Sequence, residues 1–451
     1  MKKFSVFTIL LCLMFILTAC GMTSDVTEPE NITTEAQPTD SVLADDGVVD
    51  IGLDDEDITV EAAASDTTHI DKDIVYYEEG KDFTYGEGSD EDAHSEEEAL
   101  AHTVVHITKA GTYRLSGKLS KGQIAVDLGD SAKENPEAVV TLILDGVDIT
   151  CEVAPAIIFY NVYECGSDDA DTASKDVDTT LTGANVIIAD GSENTVNGSY
   201  VAKIYKPDSI VLSADGASVE DASKLHKYDG AFYSKMSMNI NGGEEGTGVL
   251  TINAENEGLD SELHLTINGG IININSGNDG INTNEDGVSV TTVNGGVLNI
   301  KVTGETGEGD GIDSNGWLVI NGGEVKAQAC STSADAGIDS DMGIHINGGT
   351  VVASGSMLDR FEDGGQNYVV FNLRQSLSDT EELSIKNSSD EAVATLFIEN
   401  DCSVIVYSSS DLTDDTYTLY SGEEQVAVGS EGMAGGPGMP GMAPPDGAFR
   451  H

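Results

Sequence analysis

The chain runs to 451 residues and carries 80 acidic against 21 basic side chains, a formal charge of −59 at pH 7. A balance so negative excludes nucleic acid as a partner and excludes unaided attraction to any anionic polymer. It fits an extracellular protein with divalent cations at hand.

The start reads as an export signal: Lys2 and Lys3, an apolar run over 4–17, then Leu17-Thr18-Ala19-Cys20. The run is too short for a comfortable membrane span. Leu-Thr-Ala-Cys resembles a bacterial lipobox, which implies that Cys20 is the lipid-modified first residue of the mature protein. The expected place is the outer side of a bacterial membrane, held by acyl chains alone. Residues 21–100 are rich in Asp, Glu, Thr and Ser, with Lys72 and Lys81 as their bases. Such a segment buries too little apolar surface to offset ordering entropy, so an acidic disordered tether is expected, reaching about 50 Å. Within it, Ile74-Val75-Tyr76-Tyr77 suits a stray strand.

Folded structure is expected from about Ala101. Thr112 to Gly117 and Gln123 to Leu128 read as edge strands, and residues 139–149 as a longer one. An acidic insertion over 167–178 reads as a surface loop. Five copies of Asn-Gly-Gly then begin at Asn241, Asn268, Asn294, Asn321 and Asn347, at intervals of 27, 26, 27 and 26 residues. Apolar residues stand at every second position on both sides of each copy, as in Ile271-Ile272-Asn273-Ile274, which is the period of a strand and not of a helix. A fixed period of this size predicts an all-β fold: a right-handed parallel β-helix over 101–365, one turn per repeat. The Gly pair turns the corner between strands. After about residue 365 the period breaks, and 366–430 is expected to be a β cap over the last turn. Residues 431–451, rich in Gly, Met and Pro, read as a flexible tail.

A second phrase repeats beside the first: Glu257-Gly258-Leu259-Asp260, Asp279-Gly280-Ile281-Asn282, Asp310-Gly311-Ile312-Asp313 and Ala336-Gly337-Ile338-Asp339. If the apolar residue points inward, the next points out and gives a row Asp260, Asn282, Asp313, Asp339. The residue before the Gly gives a second row, Glu257, Asp279, Asp310, with Asp335 displaced by one. Equivalent positions on paired strands lie about 4.8 Å apart, and like charges so placed repel. Rows of hard oxygen ligands without clustered His or Cys call for Ca²⁺ over zinc or copper. The plain alternative is a set of solvated turn residues.

Gly111 to Gly117, Leu144-Asp145-Gly146-Val147, Asp190-Gly191-Ser192-Glu193-Asn194 and the two repeated phrases together resemble a family of secreted, mostly clostridial, carbohydrate-binding β-helix proteins. The resemblance covers roughly 101–430. It implies a pectate-lyase-like fold that binds Ca²⁺ and an acidic plant polysaccharide such as polygalacturonate. Ala336 and Asn282 depart from the acidic pattern. Calcium on the acid rows would bridge two anions, the protein and a polyuronate. Trp317, Tyr233, Tyr205 and Tyr228 are the candidate aromatic platforms for sugar rings.

Two rival readings stand beside this binder. A calcium-dependent polysaccharide lyase needs a basic Lys or Arg to take the sugar's α-proton, and Lys224, Lys227, Lys235, Lys301 and Lys326 are the nearest. Negative surroundings would raise a Lys pKa and weaken it as a base. A structural surface protein would use Ca²⁺ only to stiffen the turns. Cys151, Cys165, Cys330 and Cys402 allow three disulfide pairings, or buried free thiols.

Overall fold

A computed structural model of the chain describes residues 47–61, 66–377 and 381–432. The expected export signal, Cys20, the first part of the tether and the tail beyond 432 lie outside the described residues. What is described is nearly all β, and among the described residues no helix is long and apolar enough to cross a membrane.

Each regular repeat contributes one strand to each of three parallel ladders, visited in turn, except that the last reaches only the second and third. The first ladder runs through Thr103–Ile107, Gly122–Asp127, Ile157–Asn161, Gly230–Ser234, Glu257–Ser261, Ile281–Thr283 and Ile312–Ser314. The second runs through Ala184–Ile188, Met238–Gly242, His264–Ile267, Val290–Val293, Trp317–Ile320 and Gly343–Ile346. The third runs through Glu193–Gly198, Val249–Ala254, Ile271–Ser276, Val297–Val302, Glu324–Gln328 and Thr350–Gly355. The long strand Val140–Cys151 leads into both the second and the third, and Gly111–Leu119 pairs in parallel along its length before it.

Alternation decides the core. Leu259, Ile281, Ile312 and Ile338 from the first ladder meet Leu265, Leu318 and Ile344 from the second and Ile272, Leu298 and Val325 from the third, all buried. The two glycine phrases have different causes. The second Gly of the corner sits at positive φ, 88° at Gly296 and 83° at Gly323. A Cβ on Gly296 would also stand 2.6 Å from the Gly270 carbonyl oxygen of the turn before. The Gly of the acid phrase instead answers a close approach, because a Cβ on Gly280 would lie 2.1 Å from Ile300 and 2.5 Å from the Gly311 oxygen. Between these corners the asparagines form a side-chain row of their own. Asn268 donates to Asn241, Asn294 to Asn268, Asn321 to Asn294 and Asn347 to Asn321, at 2.8–3.0 Å.

Three expectations need correction. The tether does not extend to residue 100: Val48–Leu53 pairs in parallel with Gly111–Leu119, and Thr68–Asp71 pairs with Thr103–Ile107. An acidic average over eighty residues hides a six-residue alternation, Val48 to Leu53, that covers what would otherwise be an open sheet edge. For the same reason the two early strands expected at an edge are interior. Ile74 and Tyr77 are buried but lie outside any strand. At the other end Cys402–Ser408 pairs antiparallel with Thr350–Gly355 and stops the parallel stacking. A four-stranded sheet over residues 381–428 packs there on a second core containing Phe371, Ile385 and Leu419. The four cysteines are unpaired, three of them buried.

Candidate functional site

The first ladder places Tyr233, Asp260, Asn282 and Asp313 in one register, each one residue after an inward apolar side chain. Asp339 follows, since Ile312 bonds to the backbone on either side of Ile338. The Glu257, Asp279, Asp310 row is equally plain from the bonds of Gly258 to Asp279 and of Gly280 to Asp310. Both rows therefore exist as aligned side chains. They are not the open wall that alternation alone suggests.

At one end the acids are shut in. Asp260 is 0% and Glu257 5% exposed, and together with Asp229 they bring carboxylate oxygens within 4.8 Å of one another. Asn282 donates to Glu257 at 3.1 Å, and Asn284 donates to Asp260 at 2.6 Å. Glu257 Oε2, Asp260 Oδ2 and the Asn282 amide oxygen remain buried with no hydrogen-bond partner. Buried oxygens left so are costly. Burial, and after it the charges of Asp260 and Asp229, hold the Glu257 carboxyl well above the usual range. Burial, and after it Asp229 and Glu262, do the same to Asp260. The positive charge beside this trio is Lys227, whose ammonium lies 2.8 Å from Asp229 Oδ2.

Further along, the acids do structural work as well. Asp279 accepts the Asp310 backbone N–H at 2.6 Å, Asp310 accepts that of Ala336 at 2.5 Å, and Asp335 accepts that of Gly309 at 2.8 Å. This explains the displaced acid: Asp335 serves the turn beneath it from one residue earlier, and Ala336 supplies only its N–H. Burial with the neighbouring Asp279 and Asp339 pushes Asp310 up to about 9. Asp313 and Asp339 rise to about 7, through burial first and then through Asp341 and Asp359.

Donors of this kind fit a hard divalent cation. Carboxylate and amide oxygens without sulfur or imidazole, several of them unsatisfied, are the ligand chemistry of calcium. Asp229, Glu257, Asp260 and the Asn282 oxygen are the residues that would hold one. Sequence reasoning missed Asp229, Asn284 and the role of Lys227. Asp229-Gly230 does precede a strand as Glu257-Gly258 does, but it is one residue out of register, because Gly230 and not Asp229 opposes Glu257.

The aromatic expectation is corrected. Tyr233 is 1% exposed, and its hydroxyl donates to Glu262. Tyr228 is packed against Tyr160 and Tyr233 and bonded to His226 at 2.6 Å. Tyr205 is buried, with its hydroxyl donating to Glu87 at 3.3 Å. None of these three presents an open ring face, since each ring fills space between the first ladder or the N-terminal segment and its neighbours. Trp317 is half-buried in the second ladder between Val290 and Gly343. Four of the lysines weighed as bases are ion-paired: Lys224 to Glu262, Lys227 to Asp229, and Lys301 and Lys326 to Glu399.

Residues 101–432 match the family model described as carbohydrate-binding domain-containing protein. A relative with the same description, from Acetivibrio thermocellus, is 31% identical over 178 residues, covering 39% of this chain and 46% of the relative. The chain thus matches less than half of that relative's length. A solved structure of the polysaccharide lyase-like protein from C. thermocellum, a gadolinium derivative, aligns at 19% identity with a TM-score of 0.35, covering 70% of this chain and 94% of that one.

Proposed function

The chain belongs to the family of carbohydrate-binding domain-containing proteins, and from that premise we propose a cell-surface lipoprotein that binds acidic polysaccharide through calcium. The single observation that carries the reading is the buried trio Asp229, Glu257 and Asp260, in which one oxygen of Glu257 and one of Asp260 have no partner. A chain of charge −59 repels a polyuronate unless a cation stands between them. The three ladders are read as the faces of a right-handed parallel β-helix, the hand that parallel crossovers take in about 98% of cases. The cation would organise one end of the acid face, and sugar carboxylates would complete its coordination. Export and anchoring through Cys20 belong to the same reading.

The test is retention of the purified chain on polygalacturonate, with cellulose and xylan as controls, in Ca²⁺ and then in chelator, while unsaturated uronate is followed by absorbance. Retention that needs Ca²⁺ and yields no product is the expected result. Product would establish a lyase. Absence of retention on every polymer, with calcium still raising the melting temperature, would leave a structural surface protein.

A further inference from the structure

The acid trio already has a counter-ion, and it is carried on a strand that lies outside the three ladders. Lys227 lies on the strand Lys224–Tyr228, which pairs antiparallel with Val201–Tyr205 in a two-stranded sheet apart from the three ladders. A two-stranded ribbon has little stability of its own. Its two strands are held differently. Val201–Tyr205 is tied by backbone bonds to the N-terminal segment, Tyr205 N–H to Tyr85 and Glu87 N–H to Lys203, both at 2.8–2.9 Å. The Lys224–Tyr228 strand is held over the acid face by side chains: Lys224 to both Glu262 oxygens at 3.0 Å, and Lys227 to Asp229 at 2.8 Å. Leu225 on the same strand is 45% exposed, whereas Tyr228 at its end is buried against Tyr160 and Tyr233, so apolar packing anchors the strand at Tyr228 and hardly before it.

We propose that Lys227 is a resident competitor that sets which cation the trio accepts, and that a divalent ion enters by displacing it and loosening the strand ahead of its Tyr228 anchor. This deepens the calcium reading and rests on it. The groups facing the ammonium are Asp229, Glu257 and Asp260. One ammonium brings one charge and a directed hydrogen bond. A sodium or potassium ion brings the same charge without that bond, so it gains nothing by exchange. A divalent ion brings twice the charge and can engage the Glu257 and Asp260 oxygens that the ammonium leaves unsatisfied. The lysine therefore lowers divalent affinity, as any closed state does in proportion to its population, and excludes monovalent ions.

The experiment is calorimetric titration of the full chain with Ca²⁺ at pH 8.5, where protons compete least, for the natural protein, Lys227→Gln and Lys227→Arg. Lys227→Gln is expected to bind Ca²⁺ about tenfold more tightly, and to become sensitive to 0.5 M-scale potassium; Lys227→Arg is expected not to gain affinity. Amide exchange on the natural protein gives a reading that needs no variant. Ca²⁺ should speed exchange over 224–228 while slowing it over 257–260. If the natural protein binds Ca²⁺ but Lys227→Gln binds no tighter, or if Ca²⁺ protects 224–228, the displacement idea is wrong and the calcium reading stands. If neither protein binds Ca²⁺, both fall together.

Discussion

At the scale of single residues, the site is a set of side chains in conflict. Asp260 has one oxygen satisfied by Asn284 and one by nothing, and Glu257 is in the same position with Asn282. A site that holds like charges in a dry place gives up stability to be ready for an ion. Asp260→Asn removes a charge and keeps the shape. In chelator it should stabilise the fold by about 1 kcal/mol or more, and in Ca²⁺ it should lose most of the stabilisation the ion gives the natural protein. Paired thermal melts with and without Ca²⁺ would read both effects. A variant less stable than the natural protein in chelator would mean that the trio is not under electrostatic stress.

At the scale of elements, two glycines at positive φ, one at a corner and one in the loop after Thr283, separate strain from collision. Gly296 and Gly287 both have positive φ, 88° and 66°, but only the first faces the turn before it; around Gly287 nothing lies within 4 Å of a built Cβ. Gly287→Ala should cost about 1–2 kcal/mol from backbone conformation alone. Gly296→Ala adds a clash with the Gly270 oxygen and should cost about 3 kcal/mol or more. Urea unfolding of the two variants would show the difference, and equal losses would refute the assignment. The contrast also shows what the sequence makes legible. The strand period, the inward residues and both acid rows follow from alternation, because each depends only on neighbours along the chain. Burial at the Glu257 and Asp260 end does not follow, because the ion pairs of Lys224 and Lys227 beside it come from a strand that departs from the repeat and returns. Tyr233 and Tyr228 were likewise unreadable as core, since nothing local tells an aromatic that another segment will close over it. The calcium assignment and the lipid anchor rest on residue chemistry and on resemblance.

At the scale of the whole molecule, the raised carboxyls make stability depend on pH in a direction that can be stated. Asp313 and Asp339 release protons near 7 and Asp310 near 9 in the fold, whereas an unfolded Asp does so near 4. Between those values the folded state holds more protons than the unfolded one, so stability falls as pH rises through that window. In chelator the melting temperature should drop by about 5 °C or more from pH 5 to pH 9. Calcium, by replacing protons as the neutralising charge, should flatten the slope. A chelated protein whose stability rises over that window would contradict the burial of these acids.

The asparagine row has one more implication. Asn268, Asn294, Asn321 and Asn347 each bond back to the equivalent residue one turn earlier, and the backbone ladders do likewise, so the middle turns ask of their neighbours only what they themselves supply. Removing or duplicating one such unit leaves the asparagine row and the backbone ladders with the partners they expect. Size in this architecture is thus open to change in whole steps, each turn added or removed carrying its own asparagine.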